Sequence, residues 1–160
     1  MSAEQACQVI RPPNRLAAKV PRAGGPELAE VAKQAERDLR RLQDRYIHHF
    51  ILDIDRMSEA LEHAMSVSED ALRMMNWIYC VSYQLKGHGA TFEFPLLSLI
   101  ADSLCNLIKD ATSSTVLHLK LVELHIHGMK LVLKDKLRGP GGATGQSLIS
   151  NLRSAVEQVR

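Results

Sequence analysis

From Glu27 to Lys86 the chain contains neither glycine nor proline. Nothing in that stretch breaks regular structure, so the spacing of its apolar residues decides what forms. Leu28, Ala32, Ala35, Leu39, Leu42 and Tyr46 alternate between steps of four and three, a coiled-coil-type seam along one helix face. Beyond it Phe50, Ile54, Met57 and Leu61 keep the helical period on a shifted face. The spacing predicts a helix over 27–65, about 57 Å long at 1.5 Å per residue. Its charges (Glu36, Arg37, Asp38, Arg40, Arg41, Asp44, Arg45) mix both signs, which describes a solvated face and argues against a basic nucleic-acid surface.

The rest of the chain reads as shorter helices separated by clear stops. Ser66 with Glu69 fits a capping box and predicts a helix from about 68 to about 91. Phe94-Pro95 ends it, because the residue before proline avoids helical geometry, and Pro95 suits the first position of a new helix. That helix covers 95–110, with Leu96, Leu97, Ile100, Leu104, Leu107 and Ile108 as its apolar face. Thr112, Ser113 and Ser114 supply a turn, and the next helix spans about 115–137. Leu119, Val122, Ile126, Met129, Leu133 and Leu137 line it, Leu117, Leu121, Leu124 and Leu131 widen the stripe, and Gly128 marks a close helix–helix approach. Gly139-Pro140-Gly141-Gly142 lacks the Gly-Lys-Ser/Thr end of a phosphate-binding loop and reads as a turn. A last helix over about 144–158 presents Leu148, Leu152, Ala155 and Val159. There is no strand pattern and no internal repeat. The expected fold is all-α: an antiparallel up-down four-helix bundle with its core over 47–137, an N-terminal helical extension and a C-terminal helix. Residues 27–160 form one domain in this reading. Residues 1–26, with four prolines (Pro12, Pro13, Pro21, Pro26) and the cations Arg11, Arg15, Lys19 and Arg22, form a flexible basic tail.

Composition narrows the class. Apolar residues make up 46% of the chain, enough for a packed core, and a net charge of +2 gives no general pull toward nucleic acid or membrane. No apolar run reaches the roughly 20 residues that span a bilayer. The opening residues Met1 to Gln5 do not read as a secretory signal. Cys7, Cys80 and Cys105 are far apart and odd in number, so they read as reduced thiols, two of them in or near the core. The expected location is cytoplasmic.

The middle of the chain carries the functional signal. On a helix at 100° per residue, Met74, Ile78, Val81 and Leu85 point to the core and Tyr83 points almost directly away. Around Tyr83 on that outward side lie Leu72, Asn76, Tyr79, Cys80, Lys86, Gly87 and Ala90. The stretch Ser82-Tyr83-Gln84-Leu85-Lys86-Gly87-His88-Gly89-Ala90-Thr91-Phe92 resembles the active-site helix of histidine-containing phosphotransfer domains. That motif runs His, any residue, Leu or Ile, Lys, Gly, then small residues and an aromatic or Leu. Leu85, Lys86 and Gly87 match, and Phe92 and Pro95 through Ile100 look like the turn and following helix of bacterial members. The resemblance covers about 47–137 and is densest over 82–108. It implies a docking face for a response-regulator receiver domain or a histidine kinase. In that face Lys86 attracts the phosphoryl group or an acidic partner, and Gly87 leaves room for docking. The partner-binding residues it implies are Tyr83, Lys86 and Gly87, with Asn76, Tyr79, Cys80 and Ala90 around them.

The phosphorylated histidine of the motif is replaced by Tyr83. A phenol with a pKa near 10 is a poor nucleophile without a base, and its phosphate ester is not equivalent to a phosphohistidine as a donor. The expectation is therefore a pseudo-phosphotransfer protein with no catalytic residue and no cofactor. Two other readings fit the same chain: a working phosphotransfer protein using another histidine, and a structural protein that forms a homodimer along the Leu28–Tyr46 seam. His88 lies about 140° around the helix from Tyr83, toward the core side, and reads as a structural histidine. His63 sits near a helix end, and the adjacent His48 and His49 diverge. No two of the seven histidines have the i,i+3 or i,i+4 spacing of a helical zinc pair; His118 and His125 share a face two turns apart, and His125 and His127 point to different sides. No metal site, Gly-x-Ser-x-Gly elbow or acid/base carboxylate pair is assigned.

Overall fold

A computed structural model describes Pro13, Lys19 and residues 24–110 and 116–158. Among these residues the chain is all-helical, with no strand: α1 (Leu28–Ser66), α2 (Ala71–Gly89), α3 (Pro95–Asp110), α4 (Val116–Lys134) and α5 (Gly142–Glu157), plus one 3-10 turn over Ser68–Asp70. Most of the expected basic tail and the Thr112–Ser114 turn lie outside the described residues, as do Cys7 and Val159. The chain divides into two compact units, Met1–Leu39 and Arg40–Arg160. In the first, Leu28 is 84% exposed and Leu39 54%. No helix among the described residues is long and apolar enough to cross a membrane.

In the second unit one apolar core takes Phe50, Ile54, Met57 and Leu61 from α1, and Ile78, Val81 and Leu85 from α2. It takes Leu97, Ile100 and Leu104 from α3 and Val122, Ile126 and Met129 from α4, with Leu152 from α5. α3 is the hub: it packs against α2, α4 and α5. Gly128 makes the expected close approach. A Cβ there would touch Leu152 Cδ1 at 3.4 Å and Ile100 Cδ1 and Leu148 Cδ1 at 3.6 Å, so α4 lies tight against both α3 and α5.

Several local expectations are corrected. Ser66 is not a cap, because its hydroxyl donates back to the Glu62 carbonyl at 2.8 Å. The residue before α2 is Asp70, which makes no side-chain capping bond and instead pairs with His63 (3.1 Å) and Arg73 (3.2 Å). On α2, Met75 is buried where Met74 is only half-buried. Leu117 and Leu124 face solvent, being 52% and 42% exposed. Of the two cysteines described, Cys105 is buried but Cys80 is exposed. Tyr46, expected at the end of the α1 seam, is half-buried and stacks on Phe92 with ring centroids 4.0 Å apart.

The helix ends explain the shifted boundaries. After α2, the amide of Phe94 bonds the Gly89 carbonyl at 2.8 Å and that of Glu93 the Ala90 carbonyl at 3.2 Å, the paired bonds of a Schellman end. The left-handed residue that such an end needs is Glu93, at φ 70°. α4 ends the same way: Leu137 bonds the Val132 carbonyl at 2.9 Å, Lys136 bonds the Leu133 carbonyl at 3.2 Å, and Lys136 is at φ 49°. The two ends are tied together. Arg138 pairs with the Glu93 carboxylate and lies over the Phe94 ring, and the Gly139 amide donates to the Glu93 carbonyl at 3.1 Å. This knot positions the C-terminal turn of α2, and with it the residues from Tyr83 to Ala90.

Candidate functional site

α2 buries one side and opens the other because its apolar residues recur every three to four positions. Ile78, Val81 and Leu85 fill the core, and Tyr83 stands outward, 59% exposed. Asn76, Cys80, Lys86, Gly87 and Ala90 are exposed beside it and Tyr79 is half-buried, so all seven predicted docking residues come to one face. Tyr79 and Tyr83 lie one turn apart with ring centroids at 6.4 Å and planes 30° apart. Gly87 sits in open space: a Cβ built there meets nothing within 4 Å.

Neighbouring α3 supplies the charged border of this face, which the sequence pattern did not reveal. Lys86 Nζ is 2.7 Å from Asp102 Oδ1, and this hydrogen bond and charge pairing raise the lysine above its ordinary value. Lys109 Nζ lies 5.5 Å from the centroid of the Tyr79 ring, and its hydrogen bonding to Tyr79 raises it as well. Beneath them Cys105 Sγ lies 4.0 Å from the Tyr79 carbonyl, and burial pushes its thiol upward, toward the unreactive protonated form. The face therefore offers two phenol rings, two ammonium groups and one carboxylate around a bare backbone patch at Gly87. It holds no histidine among the described residues.

His88, read as a structural histidine toward the core side, is exposed, with its ring centroid 6.0 Å from that of Tyr46. Sequence reasoning missed the histidine that is buried. His125 is fully enclosed, with Nε2 at 3.0 Å from Ser103 Oγ and Nδ1 at 2.7 Å from the Leu121 carbonyl. Burial lowers its pKa from the ordinary 6.5, opposed only in part by the bond to Leu121. The available signal was its place on α4 between Val122 and Met129, both core residues.

Gly89, two residues beyond Gly87, was also passed over. A Cβ there would lie 2.7 Å from Ser98 Oγ and 3.0 Å from both the Phe94 carbonyl oxygen and the Ser98 amide nitrogen. The Ser98 hydroxyl accepts from the Ala90 amide at 2.8 Å, so Gly89 lets the end of α2 press onto the start of α3. Comparison with protein-family models, curated proteins and solved structures returns no match for this chain.

Proposed function

We propose that this chain is a pseudo-phosphotransfer signalling protein. Its helices over 47–137 act as an antiparallel up-down four-helix bundle, and the outward face of α2 docks a response-regulator receiver domain or a histidine kinase without carrying phosphate. The observation that carries this reading is the open space over Gly87, flanked by exposed Tyr83 and Lys86. A helix surface bare of side chains, with a cation at its edge, suits close approach by an acidic partner. The Lys86–Asp102 pair is compatible with that use. Both side chains are more than 40% exposed, and an exposed ion pair is exchanged for a partner's carboxylate at little cost. Tyr83, in the place of an acceptor histidine, offers a phenol on a face that holds no histidine among the described residues, which supports docking over relay.

The test is calorimetric titration with receiver domains of candidate regulators. Gly87→Arg fills the open patch with a long side chain, and Arg is the better helix former by about 0.8 kcal/mol. Binding is expected to fall at least tenfold while the melting temperature holds or rises. Unchanged binding of Gly87→Arg to a receiver that the wild type binds would remove this face as the interface.

A further inference from the structure

A second group of residues, away from Tyr83, has the geometry of an activated nucleophile. Ser58, Ser66 and Ser82 sit on helices and spend their hydroxyl protons on the carbonyl four residues back, at 3.3, 2.8 and 2.8 Å. Ser103 sits on α3 and points its hydroxyl across to α4, 3.0 Å from His125 Nε2. The direction of that bond follows from the other ring nitrogen. Nδ1 is 2.7 Å from the Leu121 carbonyl oxygen, which can only accept, so Nδ1 carries the ring proton of the neutral imidazole. Nε2 then presents a lone pair, and the Ser103 hydroxyl donates to it. Burial keeps the ring neutral near pH 7, so its Nε2 lone pair is free, and the Leu121 carbonyl bond favours the protonated ring that taking a proton would form. Serine, base and an acceptor that orients the base are thus aligned, as nucleophilic catalysis requires.

Ser103 is only half-buried and opens onto a groove of about 350 Å³ between α3 and α5. Leu99, Leu107, Ile149 and Leu152 give that groove an apolar wall, Asn106 and Arg153 line it with donors, and Asp102 and Glu157 line it with carboxylates. Arg153 makes no ion pair among the described residues. The helix amides around Ser103 are consumed by α3 itself, so only side chains can stabilise an oxyanion here. Asn106, one turn along, and Arg153 are the donors present.

We propose that Ser103 is a nucleophile, with His125 as its general base, for hydrolysis of carboxylic esters bearing an apolar acyl group. Ser103 Oγ forms a bond to the ester carbonyl carbon as its proton passes to His125 Nε2. The tetrahedral intermediate expels the alcohol, which takes that proton as the carbon–oxygen bond breaks. Water then attacks the acyl-serine, gives one proton to Nε2, and the acid leaves as Ser103 recovers its hydrogen. No oxidant or metal is needed. The inference does not rest on the reading of the α2 face.

The full chain is incubated with a fluorophosphonate probe, and the modified residue is located by peptide mass spectrometry; turnover of p-nitrophenyl butyrate is followed in parallel. One probe per chain on Ser103 is expected, with ester turnover above buffer that falls about 100-fold in Ser103→Ala, in line with the loss of nucleophilic and acid–base assistance. Ser103→Ala is checked by circular dichroism, since it removes a hydroxyl and leaves α3 a good helix former. His125→Gln should slow labelling by a similar factor if it keeps its helicity. If it unfolds, Ser103→Ala alone decides. Absence of labelling, labelling at another residue, or turnover unchanged in a folded Ser103→Ala would each overturn the assignment and leave Ser103–His125 as a packing contact.

Discussion

Gly87 and Gly89 occupy the same turn of α2, yet a methyl group at the first meets nothing within 4 Å and at the second meets Ser98 Oγ at 2.7 Å. The first opens a surface and the second closes a helix junction. Glycine content alone could not have separated them, because the difference lies in where α3 begins relative to α2. Pro95 sets that start, and the Schellman end at Glu93 sets the angle of approach. The inner side of α2 is therefore specified by backbone proximity, and the outer side by what has been left off it.

The sharpest way to break this comparison is to add one methyl group at each position. Gly89→Ala gains about 1 kcal/mol of helix propensity. It loses about 1–3 kcal/mol to overpacking against the start of α3 and about 1 kcal/mol more if the Ser98–Ala90 bond is displaced. A net loss is expected, lowering the melting temperature by about 2–4 °C for each kcal/mol. Gly87→Ala has the propensity gain without the clash and should raise it. Thermal melts of the two variants with opposite signs support the contrast; equal shifts would mean that α2 and α3 do not meet closely at Gly89.

His125 extends the comparison from space to charge. Its folded pKa lies below 6.5, so the unfolded chain takes up a proton before the folded one does. The stability it contributes is fully present above about pH 6.5 and is lost as pH falls toward the folded value, with a slope of at most about 1.4 kcal/mol per pH unit. Urea midpoints measured from pH 7.5 to 5 should fall for the wild type and fall less steeply for His125→Gln. Parallel slopes would place the histidine in water.

Much of this architecture was legible from residue spacing. The stop at Phe94-Pro95, the core stripe of α3 from Leu96 to Leu107 and the outward direction of Tyr83 all follow from helical period and from proline geometry. What escaped depends on pairings across helices or on conformations that composition hides. Asp102 and Ser103 are adjacent on α3 yet reach to α2 and α4 respectively, and neither Lys86 nor His125 announces its partner from 16 or 22 positions away. Ser66 and Glu69 carry a capping-box spacing, but the serine bonds backward into α1. Glu93 and Lys136 take left-handed positions where glycine would be the expected residue.

Those two helix ends give a smaller test. Lys136→Gly relieves the left-handed strain, about 1–2 kcal/mol, against a greater loss of chain entropy on folding of about 0.5–1 kcal/mol. A net gain of up to about 1.5 kcal/mol is expected, read as a higher urea midpoint at unchanged slope. Glu93→Gly should gain less, because it also gives up the pairing with Arg138. If Lys136→Gly is neutral or harmful, the α4 end is not held in that conformation in solution.

The smallest effect is expected at the border of the open face, where it separates folding from docking. Lys86 and Asp102 are joined at 2.7 Å, but their side chains remain 45% and 42% exposed, so water and salt screen the pair. Lys86→Met keeps most of the aliphatic stem and removes the charge; Asp102→Asn keeps the shape and removes the opposite charge. Neither should move the melting temperature beyond replicate scatter in 0.15 M salt. If this face docks an acidic receiver domain, as proposed, the two should diverge in that binding. Losing Lys86 would remove a cation facing that partner, which slows association most at low ionic strength. Losing Asp102 frees Lys86 for that partner and should speed association. A stability loss shared equally by both variants and no larger in the double variant would show that the pair holds α2 to α3. Opposite changes in association rate, with stability unmoved, would place Lys86 on the docking side of the helix, where the bare backbone of Gly87 lies.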